Sequence, residues 1–298
     1  MMSKQYSTLV KRASLLAVFT AVTLIVVKAF AWWQTGSVSM LASITDSTLD
    51  LLASFMSLLI LRFALMPADH NHSFGHGKAE SLASLAQGAF IIGSALLLLL
   101  HAFQRLGEPK VIQQTGLGIT VTMFSILLTF ILVAYQNKVI KLTDSPAIKA
   151  DQLHYQTDLL MNAAIMLSLL LGSLDFIWAD AVFAILIAVY ILVNGGKMCF
   201  DAVQLLLDLA LPEQEIEQIE RLIREDSNII GFHDLRTRRA GEVRFIQMHL
   251  ELSDDLSFVQ AHAITDSLET RLKQAFPRVE IVIHHEPTSV VLAEQKAK

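Results

Sequence analysis

Long apolar runs separated by short polar stretches constrain this chain more than any other feature. They cover roughly Ala13 to Trp33, Val38 to Phe63, Ser81 to Phe103, Gly116 to Gln136, Ala147 to Gly172 and Ile177 to Met198. A helix needs about 20 predominantly apolar residues to cross the hydrocarbon of a bilayer, and each run supplies them. Backbone groups find no water there, so such runs can only fold as helices. Residues 1–211 are therefore expected to form a six-helix transmembrane domain. The first run is too long for the apolar region of a cleaved signal peptide and lacks a convincing small-residue cleavage site, so it reads as the first span.

Composition agrees: 53% of residues are apolar and 17% charged, which is membrane composition. The net charge of −5 argues against a nucleic-acid partner. A single cysteine, Cys199, allows neither an intrachain disulfide nor a thiolate cluster and reads as an apolar filler. Positive charge sits at the N-terminus (Lys4, Lys11, Arg12), after the second run (Arg62, Lys78) and after the fourth (Lys138, Lys141, Lys149). The opposite side has only Arg105 and Lys110, after the third run. The first group should face the cytoplasm, and six spans leave both termini inside.

The pattern changes at Leu211-Pro212. Glu213 onward is charged and mixed, with helical spacing in EQEIEQIERLIRED, strands in GFHDLRTRRAG, EVRFIQMHLEL and VEIVIHHE, and an amphipathic helix in SFVQAHAITDSLETRLKQAF. Phe245, Gln247 and His249 alternate with Ile246, Met248 and Leu250, and Gly241-Glu242 suits the turn before them. Residues 212–298 are expected to fold as a small αββαβ domain with helices on one face of a sheet. Its core is small, so association is expected.

Two polar pairs interrupt the apolar runs: Asp46 with Asp50, and His154 with Asp158. Residues four apart share a helix face one turn apart. Ionisable side chains within a membrane are costly and mark function by default. Three carboxylates and an imidazole from two helices make the four-ligand shell of a tetrahedral cation such as zinc. The imidazole favours zinc-like ions over magnesium or calcium. Asp151, nearer the helix end, reads as an entry or surface charge.

Between the second and third runs, ADHNHSFGHGKAE brings Asp69, His72 and His76 together, with His70 beside them. Three ligands imply an open or weak site. The tail is rich in histidine: His233, His249, His262, His284 and His285, followed by Glu286. A sheet can gather residues so far apart in sequence, and a third metal site is expected there. His101 reads as an interfacial side chain. No H-E-x-x-H, Walker loop or G-x-S-x-G elbow is present, so the chain does not read as an enzyme. With no nucleotide-binding motif, uphill transport of metal would draw on an ion gradient. A non-transporting metal sensor and a metal-conducting channel are the alternatives.

GSVSMLASITDSTLD, PADHNHSFGHGKAESLASLAQ, ADQLHYQTD and HDLRTRRAG, taken together, resemble the cation diffusion facilitator family over nearly the whole length. The resemblance implies a homodimer in a bacterial inner membrane, six transmembrane helices per protomer and a cytoplasmic domain like a metallochaperone. It implies export of cytoplasmic Zn2+, with Cd2+ and Fe2+ as further substrates, in exchange for protons. By position, Asp46, Asp50, His154 and Asp158 match the family's transport site, and Asp69, His72 and His76 its loop site. His233, His249, His262, His284 and the final acidic residue match a binuclear cytoplasmic site. The family pattern near the end reads His-Gln-Asp-Pro, where this chain has His284-His285-Glu286-Pro287.

Overall fold

The computed structural model of the chain describes residues 4–36, 38–107, 116–172 and 178–297. Lys110 and Ile177, used above for orientation and for a span boundary, lie outside the described residues. The described residues form two compact units, 4–203 and 204–297.

The first unit is built from α1 (Lys4–Thr35), α2 (Val38–Ala64), α3 (Ala79–Gly107), α4 (Gly116–Thr143), α5 (Pro146–Gly172) and most of α6 (Ala179–Leu206). All of these except α5 are long and apolar enough by composition to cross a membrane. α5 has 27 residues, about 40 Å at 1.5 Å per residue, but Gln152, His154, Gln156, Asp158 and Asn162 dilute its apolar character. It packs against α3 and α4, and α1 packs against α2 and α4.

Much of what is buried is small or polar: Ala13, Ser14, Ala17, Thr20 and Ala21 on α1, Ser125 and Thr129 on α4. What faces outward is large and apolar, including Phe19, Val26 and Phe30 on α1 and Leu127, Phe130 and Ile131 on α4. This reverses the pattern of a water-soluble bundle. It suits lipid, where small residues let helices approach and the outer surface need not be polar. Gly88 on α3 shows the closeness: a Cβ there would stand 2.6 Å from Cys199 Sγ on α6. Cys199 is thus packed against a glycine, as an apolar filler would be.

At one end of the bundle, Asp144 takes a left-handed backbone (φ 51°), Ser145 Oγ accepts from the backbone of Ile148, and Pro146 opens α5. Ser before Pro suits a helix start, since Pro lacks the N–H that would go unpaired there. The Ser145 hydroxyl also donates to fully buried Glu80 (2.6 Å), which accepts from Tyr6 Oη as well (2.9 Å). The starts of α1, α3 and α5 therefore meet on one carboxylate.

The second unit contains α7 (Glu213–Arg224), β1 (Gly231–Ala240), β2 (Val243–Leu252), α8 (Phe258–Ala275), β3 (Val279–Pro287) and α9 (Thr288–Ala297). The expected αββαβ order holds, with α9 added at the end. β1 and β2 are antiparallel, joined through Gly241 at φ +60°, and β3 is parallel to β2. The parallel pair requires a crossover, which α8 provides. Ser257 and Gln260 close a reciprocal capping box at its start. Ile219 and Ile223 of α7 and Leu268 and Leu272 of α8 pack with Ile246, Met248, Leu250 and Leu252 of β2 in one core. The helices cover one sheet face, leaving the other to Gln247, His249 and Glu251.

Candidate metal centres

In the helical unit, α2 carries Asp46 and Asp50, and α5 carries His154 and Asp158. His154 Nε2 lies 3.1 Å from Asp50 Oδ1 and 3.8 Å from Asp158 Oδ2. One ligand atom from each of these three residues falls within 4.8 Å of the others. Around a zinc ion with bonds of 2.0–2.1 Å, neighbouring ligand atoms stand roughly 3.3 Å apart in a tetrahedron. Nε2 is buried and makes no aligned hydrogen bond despite its closeness to Asp50. That spacing is compatible with a shared cation. Asp46 stands outside the tight trio but lines the same cavity of about 520 Å³, which Lys28 of α1 also lines. Lys28 passed unremarked in the sequence, although a lone charge deep in an apolar run was signal enough.

Asp151 corrects one expectation. It is not a surface charge, for it is almost fully buried. Its carboxylate accepts from Gln136 Nε2 (2.7 Å) and Ser54 Oγ (3.4 Å). Ser54 bonds Tyr155 Oη at 2.8 Å, and Tyr155 reaches the carbonyl of Ala17 at 3.0 Å. Distance along the helix does not reveal burial when neighbouring helices extend past the same point. This network ties α1, α2, α4 and α5 together one turn from His154.

The loop between α2 and α3 brings Asp69, His72 and His76 together, as their spacing led us to expect. His76 Nε2 lies 3.1 Å from His72 Nδ1 and 3.4 Å from Asp69 Oδ2, and His72 Nδ1 is 3.2 Å from Asp69 Oδ1. Gly75 turns the chain at φ +78°, a conformation glycine adopts without steric cost. The Phe63 ring packs edge-on against His76, with centroids 4.5 Å apart. The backbone N–H of His72 holds the Asp69 carboxyl below the usual carboxylate range, with further hydrogen bonds from Asn71 N–H and the His72 ring. His70 is exposed and outside the group.

In the second unit, strand register builds the third cluster. His233 pairs with His249, and His249 with His284, giving one row of histidines across three strands. Glu286, beside Glu251 in the next outward row, faces them. Its Oε2 is 3.3 Å from His233 Nε2, and its Oε1 is 3.0 Å from His249 Nδ1 and 3.3 Å from His284 Nε2. Glu251 Oε1 lies 3.1 Å from His233 Nδ1. Glu251 was absent from the expected ligands, yet it is two residues from His249 and so on the same strand face.

His262 and His285 do not join this row. His285 pairs with Leu250 on the helix-covered face, where its ring packs near Phe258 with centroids 5.9 Å apart. His262 is exposed on α8, which covers that same face. Strand alternation sends His285 away from His284 and Glu286.

A β-bulge explains how His233 reaches the row. Register shifts by one residue between His233 and Arg236, with Asp234 left-handed at φ 51°. Phe232 and Leu235 both pack on the core although they are three apart. Strict alternation would put His233 on the same face as Leu235, in the core. The extra residue switches the face.

Residues 14–207 match the cation efflux transmembrane domain, well over half the chain, and residues 211–288 match the cytoplasmic domain of cation efflux proteins. The chain belongs to the cation efflux (cation diffusion facilitator) family. It is 50% identical over 296 residues to the cation-efflux pump FieF of Yersinia enterocolitica serotype O:8, and 49% identical over 296 residues to the cation-efflux pump FieF of Yersinia pestis strain Pestoides F. Both alignments cover 99% of each chain. A solved structure of the metal-bound C-terminal domain of the CzcD transporter from Thermotoga maritima shares 26% identity, covering 26% of this chain and 94% of that one, with a TM-score of 0.24. As a cation efflux protein the chain is a transporter exporting metal cations, with a helical membrane domain and a C-terminal α+β domain. Its relatives are named as pumps, in keeping with the absence of enzyme motifs.

Proposed function

We propose that the protein is a proton-coupled antiporter. It exports Zn2+, and also Cd2+ and Fe2+, from the cytoplasm across a bacterial inner membrane. The observation that carries this reading is the convergence of Asp50, His154 and Asp158 inside the helical unit, with Asp46 on the same cavity. One imidazole among carboxylates suits borderline ions. Ligation needs a neutral imidazole and ionised carboxylates, so metal binding expels protons and protonation expels metal. That opposition couples the two fluxes, and the sequence carries no Walker-type nucleotide motif that would supply another energy source.

The protein works as a homodimer, joined through the 212–298 domain, with both termini in the cytoplasm. We place the domains at 1–211 and 212–298, a division supported by the family matches over 14–207 and 211–288. Asp69, His72 and His76 form an open cytoplasmic site. In the tail, Glu286 offers its two oxygens to different histidines, as a bridging carboxylate of a two-metal site would. The tail senses cytoplasmic metal.

Zinc flux in proteoliposomes with an imposed pH gradient and an internal pH dye tests the reading. An antiporter accumulates zinc against its gradient while protons move the other way. Zinc flux without opposing proton movement would identify a channel, and no flux a sensor.

A further inference from the structure

Lys28 lines the carboxylate cavity but is not one of its candidate ligands. It lies in α1, seven residues before Thr35, and only 7% of it is exposed. Lysines near the end of a spanning helix usually extend their ammonium to the interface. Lys28 instead turns it inward. Nζ donates to Ser47 Oγ at 2.6 Å and to the Ser43 carbonyl at 3.4 Å. Both acceptors are on α2, and Ser47 directly follows Asp46. Asp46, Asp50 and Asp158 line the same cavity as Lys28.

Counting formal charges gives the consequence. With a neutral imidazole, three ionised carboxylates carry −3, and Lys28 reduces the cavity to −2. One divalent cation then brings it to zero. Without Lys28 the loaded cavity would keep a net negative charge between apolar helices, where charge is weakly screened. The empty cavity would also attract cations more strongly, and a transport site must let its ion leave.

We propose that Lys28 is the built-in counter-charge of the carboxylate cavity, matching it to a single divalent cation and holding affinity low enough for release. This rests on the reading of Asp46, Asp50, His154 and Asp158 as the transport site.

The test is zinc titration of the full-length protein in detergent, paired with zinc flux in proteoliposomes. The membrane site is the part of the binding that Asp50→Ala removes. Lys28→Gln should bind zinc there at least about tenfold more tightly and turn over several-fold more slowly, while Lys28→Arg stays within about threefold of the parent. Ser47→Ala frees the ammonium to compete with metal, so it should bind about two- to fivefold more weakly. A merely structural lysine would make Lys28→Gln and Ser47→Ala shift the same way, toward weaker binding. Unchanged or weaker binding by Lys28→Gln overturns the assignment. If Lys28→Gln does not assemble, Lys28→Met takes its place with the same expectation, and unchanged or weaker zinc binding by it overturns the assignment. If Asp50→Ala removes no binding, the transport-site reading itself falls and takes Lys28 with it. If Asp50→Ala removes binding but Lys28→Gln does not tighten it, only the Lys28 assignment falls.

Discussion

At the scale of single residues, Asp50 and Glu286 carry the sharpest consequences. Asp50 Oδ1 is the carboxylate oxygen nearest His154 Nε2, so Asp50→Ala removes both charge and geometry from the helical site. The expected result is loss of zinc flux in proteoliposomes, with the protein still eluting as the parental species. In the tail, Glu286→Gln should weaken zinc binding by about tenfold or more, because the amide keeps only one acceptor where two oxygens face three histidines. His285→Gln should change affinity less than twofold, since His285 lies on the other sheet face. Calorimetry on the paired mutants checks both, and equal effects would contradict the assigned faces. Asp69 adds a pH dependence. Its carboxyl is held low by the His72 N–H, so the folded loop gains stability above the ordinary carboxylate range and loses it as pH falls through the lowered value. Asp69→Asn should flatten that acid limb, measured as the rate of proteolysis in the loop against pH.

Among the elements, β1 shows how one residue assigns a face. The bulge at Asp234 puts His233 with His249 rather than with Leu235. A left-handed residue costs roughly 1–2 kcal/mol unless it is Gly, Asn or Asp. Asp234→Gly should therefore keep both stability and zinc affinity. Asp234→Val should lose about 1–2 kcal/mol in denaturant unfolding of the tail and weaken zinc binding as the bulge shifts. A Val variant with parental stability and affinity would show that the bulge does not control the site. The sequence hint was visible, since Phe232 and Leu235 break the alternation by standing three apart, but position along a strand does not say which residue is the extra one. α5 makes the complementary case. Its polar residues lower its apolarity and at the same time identify the candidate site, so the span that reads least like a membrane helix is the one that matters most.

For the whole molecule, the second unit has its own core of Ile219, Ile223, Ile246, Met248, Leu250, Leu268 and Leu272, so residues 204–298 expressed alone should unfold cooperatively. Zinc at 100-fold its Kd should stabilise that fragment by about 2.7 kcal/mol, raising its Tm by several degrees; a melt unmoved by zinc would remove the tail as a metal site. Periodicity and run length alone determined that the chain is a helical membrane domain followed by a small α+β domain, because burial in lipid and alternation across a sheet leave regular traces in sequence. Spacing likewise identified the two i, i+4 pairs and the loop trio, whose members are close along the chain. Three things were decided only in the tertiary structure: the burial of Asp151 among four helices, the absence of His262 from the histidine row, and the approach of Lys28 to the carboxylate cavity. Each depends on which residues from distant segments share a face or a cavity. Such neighbours are set by helix packing and strand register, and neither is encoded in the spacing of any one segment.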